Sequence, residues 1–521
     1  MYPSYNAVRA DGWVGNAAYY TSGPSDTPFV RDGVVHAMTP DWNVMAAVTN
    51  GSDFMKELHG RYLPQEPRED DDAYAARIGR SVLSPFTLRL IENAAGMVLR
   101  RPITVDGDDY WANFSKNVDG LGSSINEYAR RALVSSLTYG HSGVLIDFPN
   151  DPGIITLRDE IERGRRPYFI NLDAPQIWGW RQESTNPSSK LTQIRLHEWV
   201  CIPEGDFGEK REEQIRVIRP GTFETWNTEG IVSTGRYSLD EIPFVPIYSN
   251  RTGMLTSKPP LLDIGSLNIT HYQRQADLIN ALHIAAMPIL VLEGWDDQPE
   301  GTSVGVNYGL STIPGNKVYY VGTDSSSFAA QQEEINQLES QMASLGVTKL
   351  LGQKFVAESA DAKRIDQAQA NSVLSIISME LESALQQAYN FAGLYLQKEP
   401  PEIHLDRDFD FYRLLGQDVA VIGDLNERGA ITDKTFLEIL KSGEILPDTV
   451  DLNRELAETK RLKKEKKREL LDSGAVGGSV VGRTAQEAGA GAQGRRNGSG
   501  QGGTASQEAQ RAQTRNRTSG N

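Results

Sequence analysis

Residues 259–294 read PPLLDIGSLNITHYQRQADLINALHIAAMPILVLEG, and the rest of the chain is arranged around them. Two prolines open the stretch; proline cannot continue an earlier helix but suits a first helical turn. Apolar residues then recur at Leu261, Ile264, Leu267, Tyr272, Leu278, Ile279, Leu282 and Ala285, mostly three or four apart. That spacing lines one side of a helix, with Asn268, Gln273, Gln275, Asp277 and Asn280 expected mostly on the others. Pro288 closes the helix and hands over to ILVL (289–292), a run that predicts a strand entering a small unit. Roughly 28 helical residues at 1.5 Å each predict a rod of about 40 Å. Taken alone, the stretch equally fits a long core helix of an ordinary domain.

The segments C-terminal to this stretch narrow the choice. A Gly/Pro/Ser-rich segment ends at KVYYVGTDSSSF (317–328), and QQEEINQLESQMASLG (331–346) then predicts a returning helix with Ile335, Leu338, Met342 and Leu345 on one stripe. A longer helix is expected from about Glu358 to Leu396. The order is long helix out, small β unit, helix back, connection, long helix. The small unit has too little apolar content for a core of its own, so strands of a neighbouring copy are a natural complement.

The composition sets outer bounds. At 521 residues, with 39% hydrophobic and 23% charged residues, the chain has length for two to four domains. A net charge of −16 argues against tight wrapping by nucleic acid, whose phosphates bind mainly Lys and Arg. It does not argue against a protein that nucleic acid passes without sticking. The single cysteine, Cys201, excludes an intramolecular disulfide framework and a Cys-based metal cluster, and fits assembly in a reducing cytoplasm. The start MYPSYNAVRADGW lacks a basic region followed by an apolar core, so no signal peptide is expected; no apolar run approaches membrane-spanning length.

In chain order, residues 1–39 have no periodicity and read either as an arm packing on a neighbour or as a disordered leader. Asp70 to Asp72 predict a helix start, with the helix running to about Leu83. Pro85 breaks it, and a second helix carries Leu88, Ile91, Ala95 and Val98 inward. GLGSSINEYARRALVSSLTYGHSGVLIDFP (120–149) predicts a helix capped by Ser123 or Ser124, a Gly turn and a buried strand. Residues 167–250 alternate as antiparallel strands with one wet face. Beyond the third helix, PPEIHLDRDFDFYRLL (400–415) starts as a strand, and two or three helices come after it. From Asp472 the composition turns to Gly, Ala, Ser, Gln and Arg, which predicts a disordered tail over 471–521.

Catalytic and metal motifs are scarce. There is no GxxxxGK[ST], so no P-loop. GHSG (140–143) lacks the full nucleophile-elbow pattern. Asp406, Asp408 and Asp410 resemble the start of a calcium loop, but the turn Gly and closing Glu are missing, and alternation is what one solvated strand face gives. His271 and His283 lie twelve apart and read as packing or polar positions. No cofactor, no metal and no enzyme activity is expected. The basic run KRLKKEKKREL (460–470) is read in two ways: a solvated helix end whose cations suit the dipole, or a DNA-facing surface.

Several phrases resemble one family of tailed-bacteriophage portal (head–tail connector) proteins, the type carrying an uncharacterised domain. They are YLPQEP…YAARIGRSVLSPFTLRLIENAAGMVLRRPI, GLGSSINEYARRAL…YGHSGVLIDFP, the organising stretch itself, and LESQMASLG…ES before the third helix. Together they cover most of residues 40–400, and their joint order carries the resemblance. It implies an α+β, helix-rich portal fold: wing over 40–258, first stem helix 259–287, clip 288–330, second stem helix 331–345, tunnel loop 346–362, long wing helix 363–399 and crown 400–470. It implies a dodecameric ring at one capsid vertex of the virion, assembled in the host cytoplasm. Double-stranded DNA would pass through its axis, and its partners would be the terminase large subunit, a head–tail adaptor, and the major capsid and scaffold proteins, with no membrane.

On that reading Glu333, Glu334 and Glu339 form an acidic channel wall, while Lys349, Lys354, Lys363 and Arg364 cluster at the tunnel loop for transient phosphate contact. Lys463, Lys464, Lys466 and Lys467 of the crown and Arg495 and Arg496 of the tail would touch packaged DNA. Solvated lysines on a loop and a helix start account for the first cluster equally well. The rival readings are a head–tail adaptor or tail structural protein, and a head-associated nucleic-acid enzyme.

Overall fold

Local signals set most of the element boundaries. The structure, a computed structural model, describes residues 27–149, 165–183, 190–286, 289–293, 317–321, 325–346, 360–407, 416–442, 445–446 and 450–476. The fold is α+β. It opens with helices α1 (Gly33–Thr49), α2 (Gly51–Glu57), α3 (His59–Tyr62), α4 (Asp71–Arg80) and α5 (Phe86–Val98). Asp70 caps α4 by accepting the Ala73 N–H at 2.8 Å, with Asp71 and Asp72 in the turn where the helix dipole favours them. The helix stops at Arg80 instead of Leu83 because Ser81 is extended. In α5, Ile91, Ala95 and Val98 face the core as their spacing predicts; Thr87 is buried, and Leu88 is only half-buried.

Strand β1 (Thr104–Asp106), helix α6 (Asp109–Phe114), helix α7 (Ile125–Tyr139) and strand β2 (His141–Asp147) come next. Ser124 and Glu127 close a capping box at the start of α7, and Gly140 ends the helix at φ 91°. Gly140 is required twice over: a side chain strains at that φ, and a Cβ there would stand 2.5 Å from Ser257 Oγ. All of β2 is buried except its last residue, which is half-buried. It is the centre of an antiparallel sheet with β3 (Tyr168–Asp173) and, on its other side, β9 (Phe244–Tyr248).

Between those two partners lies a five-stranded antiparallel meander: β4 (Ile177–Gln182), β5 (Leu191–Glu204), β6 (Gly208–Arg219), β7 (Thr222–Asn227) and β8 (Gly230–Arg236). A small pair, β10 (Arg251–Gly253) with β11 (Thr256–Ser257), leads into α8 (Leu262–Ala285). At 24 residues α8 is about 36 Å long, somewhat less than expected. Strands β12 (Ile289–Glu293) and β13 (Lys317–Val321) pair antiparallel from Ile289↔Val321 to Glu293↔Lys317. Helix α9 (Ser325–Gly346) begins at Ser325, well before the expected residue 331, and α10 (Ala360–Leu396) is the longest helix described.

The main core joins α5, α7, β2 and α10. Trp111, Phe114, Phe169 and Tyr389 form its aromatic centre, with ring centroids 5.4–5.7 Å apart and mostly edge-to-face. Trp111 Nε1 donates to the Glu399 carbonyl at 2.8 Å, and the Tyr389 and Ser115 hydroxyls are 2.7 Å apart, so the polar edges of the cluster are satisfied.

The segment expected to form one crown over 400–470 divides. Strand β14 (Glu402–His404) pairs with β1, and Asp406 bonds Arg101, while residues 411–521 separate from 1–410 as a second compact unit. That unit contains α11 (Gly416–Glu427), α12 (Asp433–Ser442) and α13 (Leu452–Val476). Residues 471–476, expected to be disordered, continue α13; the rest of the tail lies outside the described residues.

Burial of His141 makes a sharp test of this core. Its Nδ1 lies 2.7 Å from Ser257 Oγ, and burial pulls its pKa down to about 3. The unfolded chain therefore binds a proton near pH 6.5 that the folded chain refuses until about pH 3. Stability is lost as pH falls through this window, at up to about 1.4 kcal/mol per pH unit. Urea melts should show this slope in the wild type, and the stability difference from His141→Gln should narrow as pH is lowered from 7 to 4.

Candidate functional site

The antiparallel helices α8 and α9, with the strand pair between them, form the most distinctive assembly of the first unit. Their direction follows from their contacts: His271 meets Glu339, and Arg274 meets Glu334, so residue numbers run oppositely along the pair.

Helix α8 is held by polar groups that sequence periodicity assigns mostly to its outer faces. Asn268 is wholly buried; its Oδ1 accepts from the Thr87 N–H at 3.2 Å and hydroxyl at 3.1 Å, and its Nδ2 donates to the Ser84 carbonyl at 3.0 Å. Tyr272 and Ser81 share a hydroxyl contact of 2.8 Å, and Gln273 donates to the Tyr62 carbonyl at 2.8 Å. The expectation for Asn268 is corrected for a physical reason. Ser84 just before α5 and Thr87 in its first turn supply an acceptor and two donors, so both the oxygen and the nitrogen of the buried amide have a partner.

Arg77 is the strongest member of this row. Its side chain is 5% exposed, and it forks onto both Glu69 oxygens at 2.8 Å, donates to the Pro64 carbonyl at 2.8 Å, and reaches Asp277 of α8 at 3.2 Å. The hydrogen bond from Arg77 holds Glu69 below the usual carboxylate range. Asp277 moves the other way: burial pushes its pKa up, and the Arg77 charge only partly offsets that. The distal end of α8 leaves these partners, with Leu282 45% and Ile284 56% exposed.

The expected acidic wall is less free than its charges imply. Glu333 is exposed and accepts from Gln337 at 3.3 Å. Glu334 pairs with Arg274 at 3.0 Å, and Glu339 pairs with the buried His271 at 3.1 Å. The His271 ring also meets Phe86 edge-on at 5.3 Å. The structure thus brings the three glutamates onto one helix and ties two of them to α8.

The other expected site residues are not brought together. Lys349 and Lys354 lie outside the described residues, whereas Lys363 and Arg364 lie near the start of α10. In the second unit Lys463 and Lys464 are exposed on α13, which also carries Lys466 and Lys467. Lys463 bonds Asp433 and holds that carboxyl below its usual range. Arg495 and Arg496 lie outside the described residues. Asp406 is engaged by Arg101, and Asp408 and Asp410 are not described. Among the described residues no group of three or more His, Cys, Asp or Glu is placed to hold a metal, and no helix is long and apolar enough to cross a membrane.

The family model described as domain of unknown function (DUF4055) matches residues 260–396, the span from the start of α8 to the end of α10. No curated protein matches the chain. Among solved structures, the chain is similar to a chain of the virion of a native gene transfer agent (GTA) particle, at 13% identity and a TM-score of 0.37, covering 73% of this chain and 95% of that one. It is also similar to a chain of the neck of an empty GTA particle computed with C6 symmetry, at 15% identity and a TM-score of 0.36, covering 73% and 95%. A third is from the neck of a native GTA particle computed with C12 symmetry, at 14% identity and a TM-score of 0.35, covering 68% and 89%.

The two kinds of ion pair on α8 should respond differently to truncation. Arg77→Ala leaves Glu69 and Asp277 without their buried cation and should cost about 3–5 kcal/mol. Arg274→Ala breaks a pair about half exposed on both sides (53% and 51%) and should cost under about 1 kcal/mol. Denaturant melts of the two variants decide between a clamp of this kind and evenly shared contacts.

Proposed function

We propose that this chain is the portal subunit of a tailed-phage-like particle, a ring-forming channel through which DNA enters and leaves the head. The observation that carries the reading is the antiparallel α8–α9 pair, turned round by β12 and β13 and continued by the long helix α10. In this reading α8 and α9 form the stem, the strand pair belongs to the clip that docks terminase and then the adaptor, and α10 belongs to the wing. The α11–α13 unit would be the crown.

The electrostatics of the pair suit a conduit. Lasting affinity for DNA grows with each phosphate that a Lys or Arg neutralises. On α8 Arg274 is already paired with Glu334, and Glu333 stands exposed on α9. A surface of this kind lets a polyanion slide. Lys349, Lys354, Lys363 and Arg364 supply the transient phosphate contacts of the tunnel loop, and Lys463, Lys464, Lys466, Lys467, Arg495 and Arg496 those of the crown and tail. The protein acts by assembly and gating, without catalysis. The distal residues Leu282, Ile284 and Tyr319, exposed in the single chain, gain apolar cover when copies stand side by side.

Native mass measurement paired with negative-stain microscopy, with and without scaffold protein, tests this reading. Closed rings of about a dozen copies with an axial opening are expected on the portal assignment. Open sheets, or a monomer or dimer at every concentration and with scaffold present, would overturn it.

A further inference from the structure

The β5–β6 hairpin outgrows its sheet. The two strands pair without a register break as far as Glu204↔Gly208. Strand β4 accompanies β5 only as far as Leu196, and β7 accompanies β6 only from Ile215. The outer hairpin is therefore a two-stranded finger, and residues 201–211 are all exposed.

Its tip is a specific shape. Gly205 takes φ 71°, and a Cβ on Gly208 would stand 2.6 Å from the Glu204 carbonyl oxygen, so both positions need glycine. Between them Phe207 is 102% exposed, as open as in an extended peptide. Glu204, Asp206 and Glu209 flank it. An aromatic ring held out on a glycine-framed turn among three carboxylates is a knob with no socket on its own finger.

A matching socket exists elsewhere on the same unit. A cleft of about 360 Å³ opens where β2, β6 and β8 meet the end of α10. Phe148, Phe223 and Tyr395 give it aromatic walls, with Phe148 and Tyr395 stacked at 5.6 Å. Arg165, Arg216 and Arg236 line it as well. Arg216 is fixed by Asp147 at 2.8 Å and Glu198 at 3.1 Å, Arg165 lies over the Phe148 ring at 5.4 Å, and Arg236 is exposed. Asp147 lines the cleft too and with Glu198 already meets Arg216, so the match rests on the aromatic walls, which suit a phenyl ring, and on the exposed Arg236 at their edge, which suits its flanking carboxylates.

Knob and socket cannot meet within one chain. Arg216 and Ile218 line the cleft and lie on β6 itself, eight and ten residues from Gly208, or about 27–34 Å along the strand. Unbroken pairing with β5 keeps that strand extended. We propose that the Phe207 tip of one copy seats in the arginine-flanked cleft of the next copy. Such a contact joins different surfaces on the two partners, and contacts of that kind close into a ring when the rotation between neighbours closes, and otherwise run on as an open filament. The proposal rests on the ring reading and names the contact that joins its subunits.

The test uses the full-length chain and Phe207→Ser, a change at an exposed position whose folding is verified by an unaltered far-ultraviolet circular-dichroism spectrum. Dilution series by native mass should show the variant's assembly constant weakened about tenfold or more, as for loss of a seated aromatic anchor. Arg236→Glu should weaken assembly too, with partial rescue by Glu209→Lys. The natural Cys201, four residues before Gly205, carries a photo-cross-linker to report the neighbour directly. Cross-links to residues 216–243 or to the end of α10 in another copy support the proposal. Wild type and Phe207→Ser assembling alike would overturn the tip contact and leave the ring reading standing. If the wild type forms no rings even with scaffold present, the ring reading fails, and the Cys201 cross-link at high concentration decides the contact alone. Links only within one chain, links to other surfaces, or no links overturn it.

Discussion

The arrangement of the first unit depends on how α8 is gripped from its root to Asn280, about four fifths of its length. Its root is apolar, with Leu261 and Ile264 in the main core and Gly265 close against Met45, Val44 and Val48 of α1. Above the root the grip becomes polar: Asn268 to Thr87 and Ser84, Tyr272 to Ser81, Asp277 to Arg77 and Asn280 to Arg80. Apolar packing alone tolerates small rotations and slips of a helix, whereas directional hydrogen bonds set its rotation and register. The polar row thereby sets the direction in which the far end of α8, the strand pair and α9 leave the body. Buried Arg77 is its keystone because it ties α4, the Pro64 turn and α8 through one guanidinium.

The same helix pair handles its charges economically. Arg274 and Glu334 neutralise each other at the surface, and Glu339 is hydrogen-bonded to the buried His271 ring. What remains exposed is weakly acidic and holds few cations free to grip a phosphate chain. In the proposed conduit such a surface would let a duplex pass, because lasting affinity for phosphates needs free cations.

Elements fixed by neighbours in sequence are legible from sequence. The α7–Gly140–β2 unit follows from a capping serine, a Gly turn and a buried strand, although only the structure chooses Ser124 over Ser123 and adds Glu127 to the cap. The strands of 167–250 follow from alternation and turn residues. Periodicity misplaces Asn268 because its partners Ser84 and Thr87 stand some 180 positions earlier, and no local pattern reports them. Its recurrence with His271, Tyr272 and Gln275 at three- and four-residue spacing is the one available hint of a polar seam. Helix α9 begins earlier than expected because its apolar stripe starts only at Ile335, while Ser325 to Ser327 carry no periodic signal. Glu334 and Glu339 read as free wall charges from sequence because pairing across helices cannot be seen in one helix. Phe207 gives no signal for a similar reason: a single aromatic residue in a turn has no period, and only the length of the strands behind it makes it a tip.

A cryo-electron-microscopy reconstruction of the assembled protein, read for the position of the α8–α9 pair, decides whether that pair lines a conduit. The conduit reading predicts that Leu262–Ala285 and Ser325–Gly346 of every copy line an axial channel wide enough for a DNA duplex, with β12 and β13 at one end of it. A ring in which this pair lies on the outer rim, with other elements lining the axis, would contradict it.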